Sequence, residues 1–347
     1  MRISRNMKIT STNNIELDKS KLLKQINENG QYEDNNIIIK PYESESEEEN
    51  ENENENENPS QNSFIAEITK NNTLFIGLLN SEFKRQGYGL INYENGDKYL
   101  GHFEKDNRSK DGIYIWFPEI KNKKISTECY YGNWKNNKKE GNGMYIWLSE
   151  PIKNTNFDEA NFECFIGEFE DDMYKRGAYL IKEGDDYYLY HGNFDREGKK
   201  SDDNGFFYSS KNDTLIHGRI SKDDFRSGYI LVFDSDSGNV KEMAYCNFDK
   251  NGNLIDSTYR SNLLKEDREK EEKKICNFRN VILNEDYFGY IYDKYKEINS
   301  FINDEIDSID AFEDKDKLKK IINLCNDYNS NNIYNDIENN IFTENSK

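Results

Sequence analysis

Tyr130-Tyr-Gly132-Asn-Trp134, the turn Lys135-Asn-Asn-Lys138, and then Lys139-Glu-Gly141-Asn-Gly143-Met-Tyr145-Ile-Trp147 form the stretch from which the fold is read. In a strand, residues i, i+2 and i+4 share a face. Tyr130, Gly132 and Trp134 therefore line one face, as do Gly143, Tyr145 and Trp147 in the run that follows. Two such runs of aromatic and β-branched residues, joined by a short polar turn, predict a β-hairpin. Glycine between two rings removes a side chain where rings from neighbouring strands must lie flat or tilt across. Cross-strand ring pairs then add about 0.2–1 kcal/mol each beyond alanine.

The same order recurs on both sides. It is found as Phe75-x-Gly77-x-Leu79, Tyr99-x-Gly101-x-Phe103, Phe165-x-Gly167-x-Phe169, Tyr190-x-Gly192-x-Phe194 and Ile216-x-Gly218-x-Ile220. A seventh copy, Ala244-x-Cys246-x-Phe248, has cysteine in the glycine slot. The first six are each followed by a second apolar strand opening on glycine: Gly89, Gly112 (with Tyr114 and Trp116), Gly143, Gly177, Gly205 and Gly228. The two glycines stand 10 to 13 residues apart, so the turn inside each hairpin barely varies. The distance from the second glycine to the next copy ranges from 10 to 22 residues, which places insertions on one edge of the sheet. Pro118 and Pro151 are expected to stop the preceding strands at that edge. Leu90 with Ile91, Phe206 with Phe207, and Tyr229 with Ile230 make the second strands apolar on both faces, which predicts cover on both.

These copies resemble MORN repeats. Tyr99-Leu-Gly101-His-Phe103, and Tyr130-Tyr-Gly132-Asn-Trp134 with Glu140-Gly141-Asn-Gly143 after it, are similar to the family's Tyr-x-Gly-x-Trp/Phe, turn, Gly-x-Gly pattern. The third copy matches nearly in full, the first keeps Gly87-Tyr-Gly89, and the last two diverge. The resemblance spans roughly residues 64–252. It implies a mainly β fold, an elongated single-layer antiparallel sheet built one hairpin after another. It also implies a function class, since stand-alone MORN proteins include radial-spoke and other cytoskeletal scaffolds. The kinase, methyltransferase and membrane-anchoring domains carried by other MORN families are not apparent here.

Four segments are expected. Residues 1–60 read as a tail: Glu43 to Asn58 holds nine carboxylates and no cation, so it is expected to stay disordered and the tail to be dispensable for folding. Residues 61–256 are the hairpin array. Residues 257–328 are helical, with Tyr287, Ile291, Tyr295, Ile298, Ile302 and Ile306 on one helix face and Leu318, Ile321, Ile322 and Cys325 on another. That first face is expected to fold back as a cap on copies five to seven, whose last strand otherwise exposes backbone and apolar side chains. Residues 329–347 are Asn-rich and loose.

Composition limits the function. The net charge is −20, which disfavours phosphate backbones and anionic headgroups. The five cysteines are scattered and odd in number, the pattern of reduced thiols in a cytoplasmic protein. The start, Met1 to Ser11, lacks the apolar core of a signal peptide, and no run is long enough to span a bilayer. No catalytic motif, metal-ligand spacing or cofactor loop is present, so an enzyme is not expected. Asp249-Lys-Asn251-Gly252-Asn253 has glycine one place too early for a calcium loop and reads as a repeat turn. His102, His191 and His217 flank repeat glycines, face away from the rings and are read as exposed strand histidines.

The expectation is a non-catalytic protein–protein scaffold, with Gly77, Gly101, Gly132, Gly143, Gly167, Gly192 and Gly218 as structural glycines. A partner helix or peptide would lie along an aromatic groove. Its walls would be Tyr99, Phe103, Tyr130, Trp134, Phe165, Phe169, Tyr190 and Phe194, with Tyr114, Trp116, Tyr145 and Trp147 from the second strands. Self-association through the C-terminal helices is a further expectation. The alternative is a peripheral phospholipid-binding module using Lys121-Asn-Lys-Lys124 and Lys135-Asn-Asn-Lys-Lys139.

Overall fold

The structure, a computed structural model, describes residues 23–24, 32–34, 37–41, 63–121, 124–148 and 161–284. They form one antiparallel meander of seventeen strands, each paired to the next in sequence. The seven copies are seven consecutive hairpins. They are β4 (Thr73–Leu79) with β5 (Arg85–Asn92), β6 (Lys98–Glu104) with β7 (Asn107–Lys121), β8 (Lys124–Lys135) with β9 (Lys138–Leu148), and β10 (Phe162–Glu170) with β11 (Met173–Glu183). The array continues as β12 (Asp186–Asn193) with β13 (Asp202–Ser209), β14 (Thr214–Ser221) with β15 (Asp224–Phe233), and β16 (Val240–Phe248) with β17 (Leu254–Tyr259). Upstream lie β1 (Tyr32–Asp34), β2 (Ile37–Pro41) and β3 (Phe64–Lys70), and downstream one helix, α1 (Lys265–Asn284).

Register follows from the glycines. Gly77 faces Gly89, Gly89 faces Gly101, and Gly101 faces Gly112. The row runs on through Gly132, Gly143, Gly167, Gly177 and Gly192. In the last copies Gly205 faces Gly218, Gly218 faces Gly228, Gly228 faces Cys246 and Cys246 faces Ser257. A Cβ on Gly132 would stand 2.4 Å from the Tyr130 hydroxyl and 2.6 Å from the Cα of Gly143. No side chain fits between strands there, so a slip in pairing would drive a side chain into the row.

Within copies two, three, four and six the turn is two residues long, and both residues have left-handed backbones: Lys105-Asp106, Asn136-Asn137, Asp171-Asp172 and Lys222-Asp223. This is the type I′ geometry whose twist suits a hairpin, and Asn and Asp are the side chains that tolerate it best. The alternation of strand side chains divides the core into two clusters. One holds the rings on the glycine face. The other is mainly aliphatic, with Leu100, Ile113, Met144, Ile146, Leu180, Leu215 and Leu231 on the opposite face. Leu90 and Ile91 are thus buried on both faces, as the pattern requires, whereas Phe206, Phe207, Tyr229 and Ile230 are half-buried.

Two sequence expectations are corrected, and the expected capping face, Tyr287 to Ile306, lies outside the described residues. The sheet begins before residue 61: Ile39 on β2 faces Ala66 on β3 and is fully buried with Phe64 and Ile68. Ile37-Ile-Ile39 is a short β-branched run, masked in a composition reading by the acidic stretch after it, which lies outside the described residues. Pro118 does not end β7, which continues to Lys121 and pairs it with Lys124. The proline sits where the register shifts, between Trp116 and Glu119, a place where a missing N–H costs no ladder bond. Among the described residues the helix Lys265–Asn284 covers the sheet; residues 285–347 and Pro151 lie outside the described residues.

Two outcomes follow. Gly132→Ala should destabilise the fold by about 1–3 kcal/mol in urea unfolding, because backbone rather than a flexible tip meets the new methyl. Ile39→Asp, or removal of residues 1–60, should lower the thermal midpoint; an unchanged midpoint would mean that β2 is not part of the cooperative unit.

Candidate protein-binding face

In copies one, two, three and five the first ring lies over its own glycine and over the glycine opposite. The Tyr99 ring covers Gly101 and Gly112, Tyr130 covers Gly132 and Gly143, and Tyr190 covers Gly192 and Gly205. The ring thus comes from the same strand as the first glycine, not only from a neighbour. The hydroxyl then reaches three residues on: Tyr99 donates to the His102 carbonyl at 3.0 Å, Tyr130 to that of Asn133 at 2.8 Å and Tyr190 to that of Asn193 at 2.6 Å. The fifth residue of the motif closes edge-on against the first, with ring centroids 5.1 Å apart for Tyr99–Phe103 and Tyr130–Trp134 and 5.0 Å for Phe165–Phe169. Second-strand rings link copies: Trp116 stacks on Tyr145 at 5.1 Å, and Trp147 lies 6.4 Å from Tyr179. All twelve ring residues expected to form a groove therefore fall in one cluster, and all twelve are buried. They are the core of this face.

Charges are built into the same cluster. Two residues before the first ring stands an acid that accepts from a second-strand tyrosine. Tyr114 donates to Asp97 at 2.8 Å, Tyr145 to Glu128 at 2.7 Å, and Tyr179 to Glu163. Burial above all, with the acid beside it, holds the Tyr114 phenol well above its ordinary range. Four residues before the second glycine stands a cation over the rings. The Arg108 guanidinium lies 4.3 Å from the Trp134 centroid, and the Lys139 ammonium lies 5.3 Å from that of Tyr145. Both cations are buried, and burial pulls the Lys139 ammonium below its usual value although Asp172 pushes the other way. In copy four Tyr174 takes this place and stacks on Phe165 at 4.2 Å. These acid and cation positions were missed in the sequence reading, although the acid two residues before the first ring in copies two to four, and the cation four residues before the second glycine in copies one to three, were there to find.

The cation residue is also where adjacent copies join. The Asp106 N–H donates to the Arg85 carbonyl at 3.0 Å, while the Arg85 N–H donates to the Asp106 carboxylate at 2.9 Å. Asn137 clasps Arg108, Asp172 clasps Lys139 and Asp223 clasps Lys200 in the same two-way fashion. The second residue of each type I′ turn is thereby tied to the copy before it.

Helix α1 covers the opposite face over copies five and six. Phe278 stacks on Phe206 at 4.2 Å, and Phe206 stacks on His217 at 4.3 Å. His217 lies between Glu271, 3.1 Å from Nδ1, and Lys274, 3.1 Å from Nε2. Arg279 holds Asp213 through two bonds and lies over the Phe233 ring at 4.4 Å. His191 and His217, read from sequence as exposed, are buried under this helix. The sequence could not show which helix turn would reach them. Burial, and then Arg176, bring the His191 pKa down to about 3; burial and Lys274 also lower that of His217, against the pull of Glu271.

Other candidates resolve plainly. The Asp249 carboxylate accepts from the backbone of Asn251 and Asn253, which makes this segment the β16–β17 turn. Of the basic cluster, Lys139 is buried and Lys138 is paired with Asp171 at 2.8 Å. No helix among the described residues is long and apolar enough to cross a membrane. One residue from outside the array does reach the ring face: Leu23, in helical conformation, packs against the ring cluster. No protein-family model matches the chain, and no curated protein matches it either.

Two measurements probe this architecture. Tyr145→Phe removes the phenol that donates to buried Glu128 and should cost about 1–3 kcal/mol in unfolding free energy. Acid should loosen the helix. Both histidines have folded pKa values below the unfolded value of about 6.5, so their contribution is complete above that pH and is lost as pH falls below it. The thermal midpoint should therefore fall progressively as pH drops from about 6.5 towards about 3, where folded His191 itself takes up a proton. His191→Gln with His217→Gln should flatten that drop; an equal drop in the double variant would assign it to carboxylates.

Proposed function

We infer that this chain is a non-catalytic protein–protein scaffold of the MORN-repeat kind, working in the cytoplasm within a cytoskeletal or ciliary assembly. The observation that carries the reading is Leu23 on the ring cluster. Leu23, in helical conformation, lies against the glycine-lined face, which is how a leucine of an amphipathic partner helix would anchor there. The twelve buried rings give that seat a fixed shape, and the partner contacts the part-buried rim: Ile37, Tyr93, Ile181, Phe207 and Phe225. A partner helix then competes with Leu23 for that seat. The phospholipid reading is less well supported, because Lys138 and Lys139 are already committed to Asp171 and Asp172.

The test is a labelled peptide of residues 15–30 titrated onto the full chain and onto Leu23→Glu. Saturable binding that tightens in the variant supports a helix-accepting face; no binding to either rejects it. Affinity capture with mass spectrometry on the same pair then identifies the partner, whose recovery should rise in the variant.

A further inference from the structure

We propose that the outer edge of β17 is a self-association site, at which β17 of a second copy of this chain adds in antiparallel register centred on Ser257. The proposal goes beyond the scaffold reading and uses a different surface. Its first support is where exposed apolar surface lies. Among the described residues the exposed large hydrophobics are Leu254, Ile255, Tyr259 and Leu264, at 54%, 66%, 65% and 75%. All fall on β17 or just after it, whereas Tyr99, Tyr130 and Phe165 are fully buried. Among the described residues β17 pairs with β16 alone. Its sequence, Leu-Ile-Asp-Ser-Thr-Tyr, has none of the lysines or prolines that blunt an edge strand.

The second support is register, and it identifies the occupant. Along the array the row residue of each strand faces the row residue of the next, ending with Cys246 opposite Ser257. The residue two before the row then faces the residue two after it, as Tyr99 faces Tyr114, Tyr130 faces Tyr145 and Ala244 faces Tyr259. Applied once more across a two-fold axis, the same rule sets Ser257 against Ser257 of the second copy. It then sets Ile255 of each copy against Tyr259 of the other. That is the position the stabilising ring pairs occupy elsewhere, and such aromatic–aliphatic pairs are the unit of sheet stability. Moving the centre to Asp256 would oppose two carboxylates and leave Ile255 facing serine. Moving it to Thr258 would leave Tyr259 facing serine. Only the centre that continues the row matches both apolar residues. The Asp256 carboxylate is already drawn back to the Asn247 amide at 2.7 Å, which keeps it from opposing the approach. A two-fold pairing uses the same edge of both copies, so the assembly closes as a dimer.

The experiment uses the full chain with Cys276→Ser and Cys325→Ser. Sedimentation equilibrium should show a reversible dimer. Ile255→Lys with Tyr259→Lys should weaken self-association by about tenfold or more, with thermal midpoint and circular dichroism unchanged because both side chains are exposed. Ile255→Cys with Tyr259→Cys should form a disulfide-linked dimer on mild oxidation, while Ile255→Cys alone should not, since the two copies of residue 255 are out of register. A monomer at every concentration overturns the proposal. So does a dimer that survives the lysine pair, or one that crosslinks equally through the single cysteine. If the dimer is absent while the peptide of residues 15–30 still binds, the self-association site fails and the scaffold reading stands.

Discussion

The contact on which everything else depends is a flat ring over two facing glycines. A sheet with no second sheet against it must bury side chains within the span of its own pleat. A tyrosine folded down across the strand does this only if nothing stands beneath it. Glycine supplies the space, and the ring conceals the backbone that glycine would leave wet. The same contact sets register, because in the ring-bearing copies the hole and the ring recur once per hairpin and must coincide. It also explains the hydroxyl: a ring held flat places its oxygen over the carbonyl three residues on, so the buried phenol is satisfied by geometry already present.

A second layer of order rests on the first. Cations lie over the rings, acids accept from the second-strand phenols, and the turn of the next copy clasps the cation residue. None of these would be stable alone in an apolar cluster, because buried charges require partners. Together they form a chain of mutual dependence running from copy to copy. An array bound in this way approaches a one-dimensional system, in which each unit's stability is set by its neighbours. Copy four departs from it by using Tyr174, and there the ring packing is denser, with Tyr174 contacting Phe165, Phe169, Trp147, Tyr179 and Phe194.

Strand order, hairpin number and the division of faces were legible in the sequence because they depend on period-2 alternation and on glycine, both local signals. The strands before the first copy were not, since Ile37-Ile-Ile39 is brief and stands beside a long acidic stretch. Pro118 misled because a proline reads as a stop unless a bulge is foreseen, and a bulge is a property of the pair rather than of the strand. The rings were found, but their burial was not: alternation tells which face a side chain takes, not whether neighbours close over it. Likewise Phe206, His191 and His217 could be placed on the outer face, while their burial depended on which turns of a later helix bear Phe278, Glu271 and Lys274.

The clasp between copies has a direction. Asp106 secures Arg85, Asn137 secures Arg108 and Asp223 secures Lys200, in each case a later turn closing an earlier copy. The two ends of the array are therefore not equivalent. On the ribosome a hairpin that has emerged stays unlatched until the next turn clears the exit tunnel, so the array consolidates one copy behind synthesis. Under tension applied from the C-terminal end, loss of copy two, three, four or six unlatches the copy before it. Tension from the N-terminal end removes only a residue that was being held and leaves every remaining latch closed.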